Sequence, residues 1–427
     1  MRKSWRHYFN FELAAGWDRL TASLGGNIKS VQSGMLVSPG RIEFYALCLL
    51  LFFLPYSEFF KHFFLAIFFL SWLARRYACR GFGGHIDIAD LTMMAIPVLG
   101  FLSAAFSPSN SLQIAINNID LTVIMILGIM VKRTSWESIQ LHFLAIIITL
   151  GAFFALVAGF AQHKLMGAGF ALRSVGHINH SAIYLTLVAL LAFVYFLEAR
   201  STKTRLAWIL VSLCLFVAQL VFESRATTGI YLIFLLITTI IVGNRSRAVF
   251  WVSLGTLVLI SSLAYLLYPG LIQALSILFY DLPTALHDRI PLYRTGLIAA
   301  TDSPFFGNGP GFFHAVTTEE NIRRLVTENR LFYRAESYSH LRHAHNLFIS
   351  FLVERGSLAL IFVIIFFGYC LYYSVKKLCE SANSVAMTAL VSTFVVLGIG
   401  LVNTTFHHEH GILSMFLIAP LLSQIRR

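Results

Sequence analysis

Long apolar runs decide what this chain can become. A helix that crosses a bilayer needs about 20 predominantly apolar residues. About twelve stretches approach that length: 38–56, 58–74, 88–106, 116–131, 140–161, 180–198, 206–222, 228–243, 248–268, 346–374, 383–403 and 410–425. The chain is 57% hydrophobic and only 12% charged, against roughly 45–50% apolar and about 25% charged for an average soluble protein. A soluble fold would leave that surplus facing water as broad apolar patches. The expectation is therefore an all-α polytopic membrane protein of about twelve transmembrane helices. Residues 1–37 are polar and amphipathic, too long a lead for a cleavable signal peptide, and are expected to form a cytoplasmic tail. Helices 1–9 would occupy 38–268 and helices 10–12 would occupy 346–427. The 269–345 segment between them is expected to be one long, mostly helical loop packed onto the bundle.

The chain has 32 Lys+Arg against 20 Asp+Glu, a net charge of +12, and the placement of those charges settles what they mean. With the amino terminus cytoplasmic, alternate short loops carry Arg75, Arg76 and Arg80; Lys132 and Arg133; Arg200, Lys203 and Arg205; Arg245 and Arg247; Lys376 and Lys377; Arg426 and Arg427. The opposite short loops hold only Lys61, Lys164, Arg173 and Arg225. This is the positive-inside pattern. It puts both termini in the cytoplasm and removes nucleic acid as a partner. The long loop falls outside, where length lets it translocate regardless of charge. A connection that long is usually functional. The five cysteines lie in membrane runs or cytoplasmic loops, so no disulfide is expected.

Ionisable residues at membrane depth are costly and tend to mark a site, and here they gather at the outer ends of helices. Arg225, in Phe222-Glu223-Ser224-Arg225-Ala226-Thr227-Thr228-Gly229, suits bidentate binding of a phosphate. The plainer alternative is an Arg reaching lipid headgroups or paired with Glu223. A second block holds Asp288, Arg289, Tyr293 and Arg294 and ends in Phe306-Gly307-Asn308-Gly309-Pro310-Gly311. On a helix Arg289 and Arg294 would be offset by roughly 140°, so they need not share a ligand. The glycines permit a tight turn, but without a P-loop lysine or a preceding strand they do not indicate nucleotide.

The third patch is Arg342-His343-Ala344-His345-Asn346. Asn346 is a good helix cap, which sets His345 at the mouth of an apolar helix as a proton acceptor near neutral pH; interfacial histidines or half a metal site are the alternatives. The fourth comprises Gly176-His177-Ile178-Asn179-His180-Ser181 and His407-His408-Glu409-His410. The latter invites a zinc reading, but adjacent side chains on a regular helix diverge, which favours a polar rim or the lining of an acceptor site. His180 and His345 each open a helix, which suggests a shared outer cavity. No metal and no cofactor is expected. Paired carboxylates of glycosidase type are not evident, and an Arg-rich, carboxylate-poor site favours a substrate that brings its own negative charge.

These patches, in this order, resemble the bacterial O-antigen ligase family, which is related to the O-antigen polymerases. The resemblance runs over roughly 170–360 and rests on Gly176 to His180, Ser224 to Gly229, Asp288 to Gly311 and His343 to Asn346. Tyr293 stands where many members carry Trp. The resemblance implies a GT-C-like membrane glycosyltransferase of the bacterial inner membrane with a periplasmic active site. It would move O-antigen polysaccharide from undecaprenyl diphosphate to a terminal sugar of lipid A–core. On that basis His345 is expected as general base, with Arg225 and Arg289 at the diphosphate. Arg294, His343, His180 and Asn346 are expected to contact substrate. Expected partners are the lipid-linked donor, the lipid A–core acceptor and membrane lipids.

A polymerase or a protein O-oligosaccharyltransferase would use the same donor with another acceptor. A flippase would instead place charge near the midplane of repeated halves, a pattern the sequence lacks.

Overall fold

A computed structural model describes residues 39–107, 112–166, 170–222, 224–243, scattered positions between 251 and 262, and 290–313, 344–381 and 383–425. The expected tail, the run at 248–268 and most of the 269–345 loop lie outside these described residues. So do Arg289 and His343.

The described secondary structure is α-helical, and the described residues contain no strand, in keeping with an all-α fold. In chain order the helices are α1 (Arg41–Phe53), α2 (Glu58–Ala78), α3 (Ile88–Phe106), α4 (Leu112–Ile116), α5 (Ile119–Lys132), α6 (Ser138–Met166) and α7 (Ile178–Glu198). They continue as α8 (Thr202–Leu220), α9 (Arg225–Gly243), α10 (Ile290–Asp302), α11 (Leu347–Glu380), α12 (Ser384–Gly400) and α13 (His408–Gln424). Six described helical stretches are long and apolar enough to cross a membrane: Ile88–Phe106, Leu112–Lys132, Ser138–Leu165, Ile178–Glu198, Thr202–Leu220 and Leu347–Glu380. Several starts carry side-chain caps. Ser57, Asp87, Ser201, Asn346 and Asn383 each accept a backbone N–H of the first turn, satisfying donors that no intrahelical carbonyl can reach.

The chain divides into two compact units. Unit 1 comprises Met1–Ile86, Ile129–Ser174 and Ala419–Arg427. Within it α1 packs on α2 and α6, and Gly151 lets α6 approach so closely that a Cβ there would stand 2.5 Å from the Phe52 carbonyl oxygen. Arg75 donates to the buried Glu43 carboxylate at 2.6 and 2.7 Å.

Unit 2 comprises Asp87–Gly128 and Val175–Ile418. Its centre is α7, in which every residue from Ser181 to Phe196 is buried, as a helix apolar on all sides requires. Helices α8, α9 and α12 pack against it, while α11 packs on α3, α10 and α12.

Helix α11 is broken once, at Gly356 (φ 78, ψ 176). An unbroken helix would bond Ser357 N–H to Val353 O and Leu358 N–H to Glu354 O. Instead the stretch from Pro304 to Gly309 enters the gap. Asn308 N–H donates to Val353 O at 2.8 Å and Gly309 N–H to Glu354 O at 3.0 Å. Ser357 N–H donates to Pro304 O at 2.8 Å and Leu358 N–H to Phe305 O at 3.4 Å. The glycine-rich block is thus the filling of a helix break, with its amides turned to α11 rather than to a phosphate. Arg355 belongs to this joint. It bonds Glu354 at 3.0 Å and Asn118 at 3.3 Å.

Candidate active site

The site forms within unit 2 where α7, α9, α11 and α13 begin and α12 ends. Asn346 caps α11 by accepting from Ile349 N–H at 3.0 Å, and its amide nitrogen donates to Leu401 O at 2.8 Å. One side chain therefore ties the start of α11 to the end of α12. Just before it, His345 adopts a left-handed backbone (φ 46), which costs a non-glycine residue on the order of 1 kcal/mol. The Tyr293 hydroxyl, carried by α10, lies 3.3 Å from His345 O and 3.2 Å from Leu401 O. Helix α10 is fixed in turn by the apolar cluster of Leu292, Ala299, Ala300, Phe313, Ala344 and Val353.

The imidazole is oriented as well. Asn403 Oδ1 accepts from Thr404 N–H at 2.9 Å, which identifies it as the amide oxygen, and it lies 3.3 Å from His345 Nδ1. An amide oxygen can only accept, so this bond calls for the proton on Nδ1, and in a neutral ring the lone pair is then on Nε2. That is the tautomer a general base needs. Neither Tyr293 nor Asn403 was singled out for this role by sequence reasoning. The cap at Asn346 was the one local signal, and the partners lie 52 and 58 residues away.

From Asn403 the backbone leads to a group of histidines. His407 Nε2 lies 3.1 Å from Thr404 O. The His180 ring, in the first turn of α7, lies 4.7 Å from that of His407 and 5.1 Å from that of His410. His407 and His408 rings are 4.4 Å apart. The expectation that adjacent side chains would diverge fails here because His408 has φ 49 and Phe406 φ 65, so the backbone is not yet a regular helix. Of the four non-glycine residues with positive φ among those described, His345, Phe406 and His408 lie in this region. No group of three His, Cys, Asp or Glu among the described residues is arranged to hold a metal ion.

Arg225 is the first residue of α9 and is exposed. Its turn is fixed from beneath: Thr227 and Thr228 hydroxyls donate to Ser224 O at 2.9 and 3.1 Å. Gln219 of α8 holds both threonines. Ile230, five residues on, meets Gly398 of α12, five residues before Asn403, so Arg225 lies at the His345 end of unit 2. Arg294 is exposed on α10, beside Tyr293.

Residues 210–364 match the O-antigen ligase family model. This is the family that the motifs resemble. The matched stretch contains Arg225, Arg294, His345 and the broken part of α11; His180 and residues 401–410 lie outside it. With the six spanning-length helices it marks a multi-pass membrane protein. A search of curated proteins finds no match.

Asn403 is a positioning residue by this geometry, and its replacement tests the tautomer argument. Asn403→Ala is expected to lower the turnover of glycan transfer roughly tenfold, equivalent to about 1.4 kcal/mol, and to displace the pH–rate profile. Asn403→Asp, which keeps an acceptor oxygen, should recover most of the rate. A pH profile unchanged in Asn403→Ala would refute the role.

Proposed function

We propose that this chain is a membrane glycosyltransferase that moves O-antigen polysaccharide from undecaprenyl diphosphate to a terminal sugar of lipid A–core. The observation that carries the reading is His345. It is held in a strained conformation at the mouth of α11, with its ring oriented by Asn403, inside the stretch that matches the ligase family. Strained backbone persists where its surroundings over-determine it, and such positions cluster at functional sites. The positive-inside pattern supports a periplasmic site in the inner membrane.

The acceptor hydroxyl attacks the anomeric carbon as the bond to the diphosphate oxygen breaks. The hydroxyl proton passes to His345 Nε2 and the electron pair leaves with the diphosphate. Attack from the opposite face inverts the anomeric centre. Negative charge grows on the leaving group, and guanidiniums aimed at it would stabilise that charge. Arg225 serves there, with Arg289; Arg294 and His343 support them and His180 lines the acceptor side. Asn346 acts through the backbone, by the cap that places His345. No metal is required.

The test is reconstitution of purified protein with lipid-linked polysaccharide and lipid A–core, without added metal. A glycolipid ladder is expected. A longer lipid-linked chain in its place would assign polymerase activity, and no product at all would reject transfer. In the same assay Arg225→Ala should lower kcat/KM for the donor roughly 10²-fold at unchanged acceptor KM. An unaltered donor kcat/KM would remove Arg225 from the diphosphate.

A further inference from the structure

The histidine group at the start of α7 and α13 has a chemistry of its own. His410 is fully buried, and neither of its ring nitrogens has a hydrogen-bond partner. A neutral imidazole carries one donor and one acceptor, and leaving both unmet in a buried place is costly. Directly along the same faces the pattern repeats. Tyr184 is four residues past His180 on α7 and Ser414 four past His410 on α13, one turn on in each case. Both hydroxyls are buried and unpartnered. Glu409 of α13 lies close enough to Tyr184 of α7 to act on it electrostatically, so the two helix starts are neighbours at this depth.

The described groups lining this place are imidazoles, hydroxyls and carboxylates. His180, His407 and His410 rings lie within 4.7–5.1 Å of one another, and Asp120 sits 3.1 Å from His408 Nδ1. Arg225 and Arg294 are carried by other helices, α9 and α10. A ligand here must give and receive hydrogen bonds in one group, and an anion would meet Asp120 and Glu409. Hydroxyl groups meet that demand. The absence of a three-ligand arrangement among the described residues argues against a preformed metal centre. The group connects to His345 through Thr404 and Asn403, so a molecule bound against it lies beside the base.

We propose that His180, His407 and His410, with Tyr184 and Ser414 beneath them, form the subsite that receives the acceptor sugar through its hydroxyls. The donor diphosphate is thereby kept to the arginine side and the neutral acceptor to the histidine side. This rests on the glycosyl-transfer reading, so the test separates the two.

The full chain in nanodiscs is compared with His180→Ala and with Tyr184→Phe, which removes one oxygen and keeps the packing. With lipid A–core and lipid-linked polysaccharide, both variants are expected to raise acceptor KM at least tenfold while donor KM stays within twofold. Delipidated core oligosaccharide, followed by saturation-transfer NMR without donor, should bind wild type and His345→Ala but neither subsite variant. Unchanged acceptor KM in both variants, or a rise in donor KM instead, overturns the subsite. Activity lost on chelation and restored by Zn(II) also overturns it, in favour of metal. A wild-type chain that binds the oligosaccharide yet transfers nothing to lipid A–core refutes the transfer reading and leaves the subsite standing.

Discussion

Replacing His345 with alanine is expected to lower glycan transfer by roughly 10²–10⁴, the contribution of a positioned general base. The amount of folded protein in the membrane should not change. The side chain bonds Asn403 at 3.3 Å. The backbone of this segment is held by the Tyr293 hydroxyl on the His345 carbonyl and by the Asn346 side chain on Leu401 O. Alanine keeps both. His345→Asn, which tolerates the left-handed backbone better than alanine, should lose activity equally, because an amide is no base near neutral pH. Initial rates with lipid-linked polysaccharide and lipid A–core, normalised to protein recovered by size-exclusion chromatography, measure the effect. Rates within threefold of wild type in both variants would remove His345 from proton transfer.

The helices were legible for a reason particular to lipid. A spanning segment must close its hydrogen bonds within itself, so its apolar run and its helix coincide. The run expected at 180–198 became α7 almost residue for residue, and the run at 383–403 became α12. Capping residues were legible too, as at Asn346. What could not be seen was any contact between segments far apart in sequence. Nothing near Asn403 announces that its oxygen faces His345, and nothing near Tyr293 announces a bond to two carbonyls. The glycine-rich block was visible as a turn but not as the partner of α11, because that pairing joins Pro304–Gly309 to residues some fifty positions later. The bond from Arg355 to Asn118 was hidden for the same reason, since 237 positions separate the two.

That break gives the second large effect. Gly356→Ala is expected to prevent recovery of folded protein, or to destabilise what is recovered by about 3 kcal/mol or more, the sum of backbone strain and overpacking. Its φ of 78 with ψ of 176 lies in a region that is essentially glycine's alone. A Cβ there would collide with the Phe305 carbonyl and stand 2.6 Å from Gly307 N. Neither atom can step aside, because Phe305 O receives Leu358 N–H and the Gly307 N–H donates to Ser303 O. Displacing the block would strand the buried Val353 carbonyl, which takes both the backbone and the side-chain N–H of Asn308, at a cost of roughly 1–3 kcal/mol, and would leave Glu354 O with the Ser103 hydroxyl alone. Gly368, further along the same helix, has nothing within 4 Å of a built Cβ. Gly368→Ala is therefore the control, expected to leave thermal melting in detergent unchanged. A Gly356→Ala protein that melts like wild type would show that α11 closes without the block. The two glycine variants also sharpen the His345 experiment. Gly356→Ala should lose activity together with fold, whereas His345→Ala should lose activity alone, so a shared loss of both would mark His345 as a structural residue and not a base.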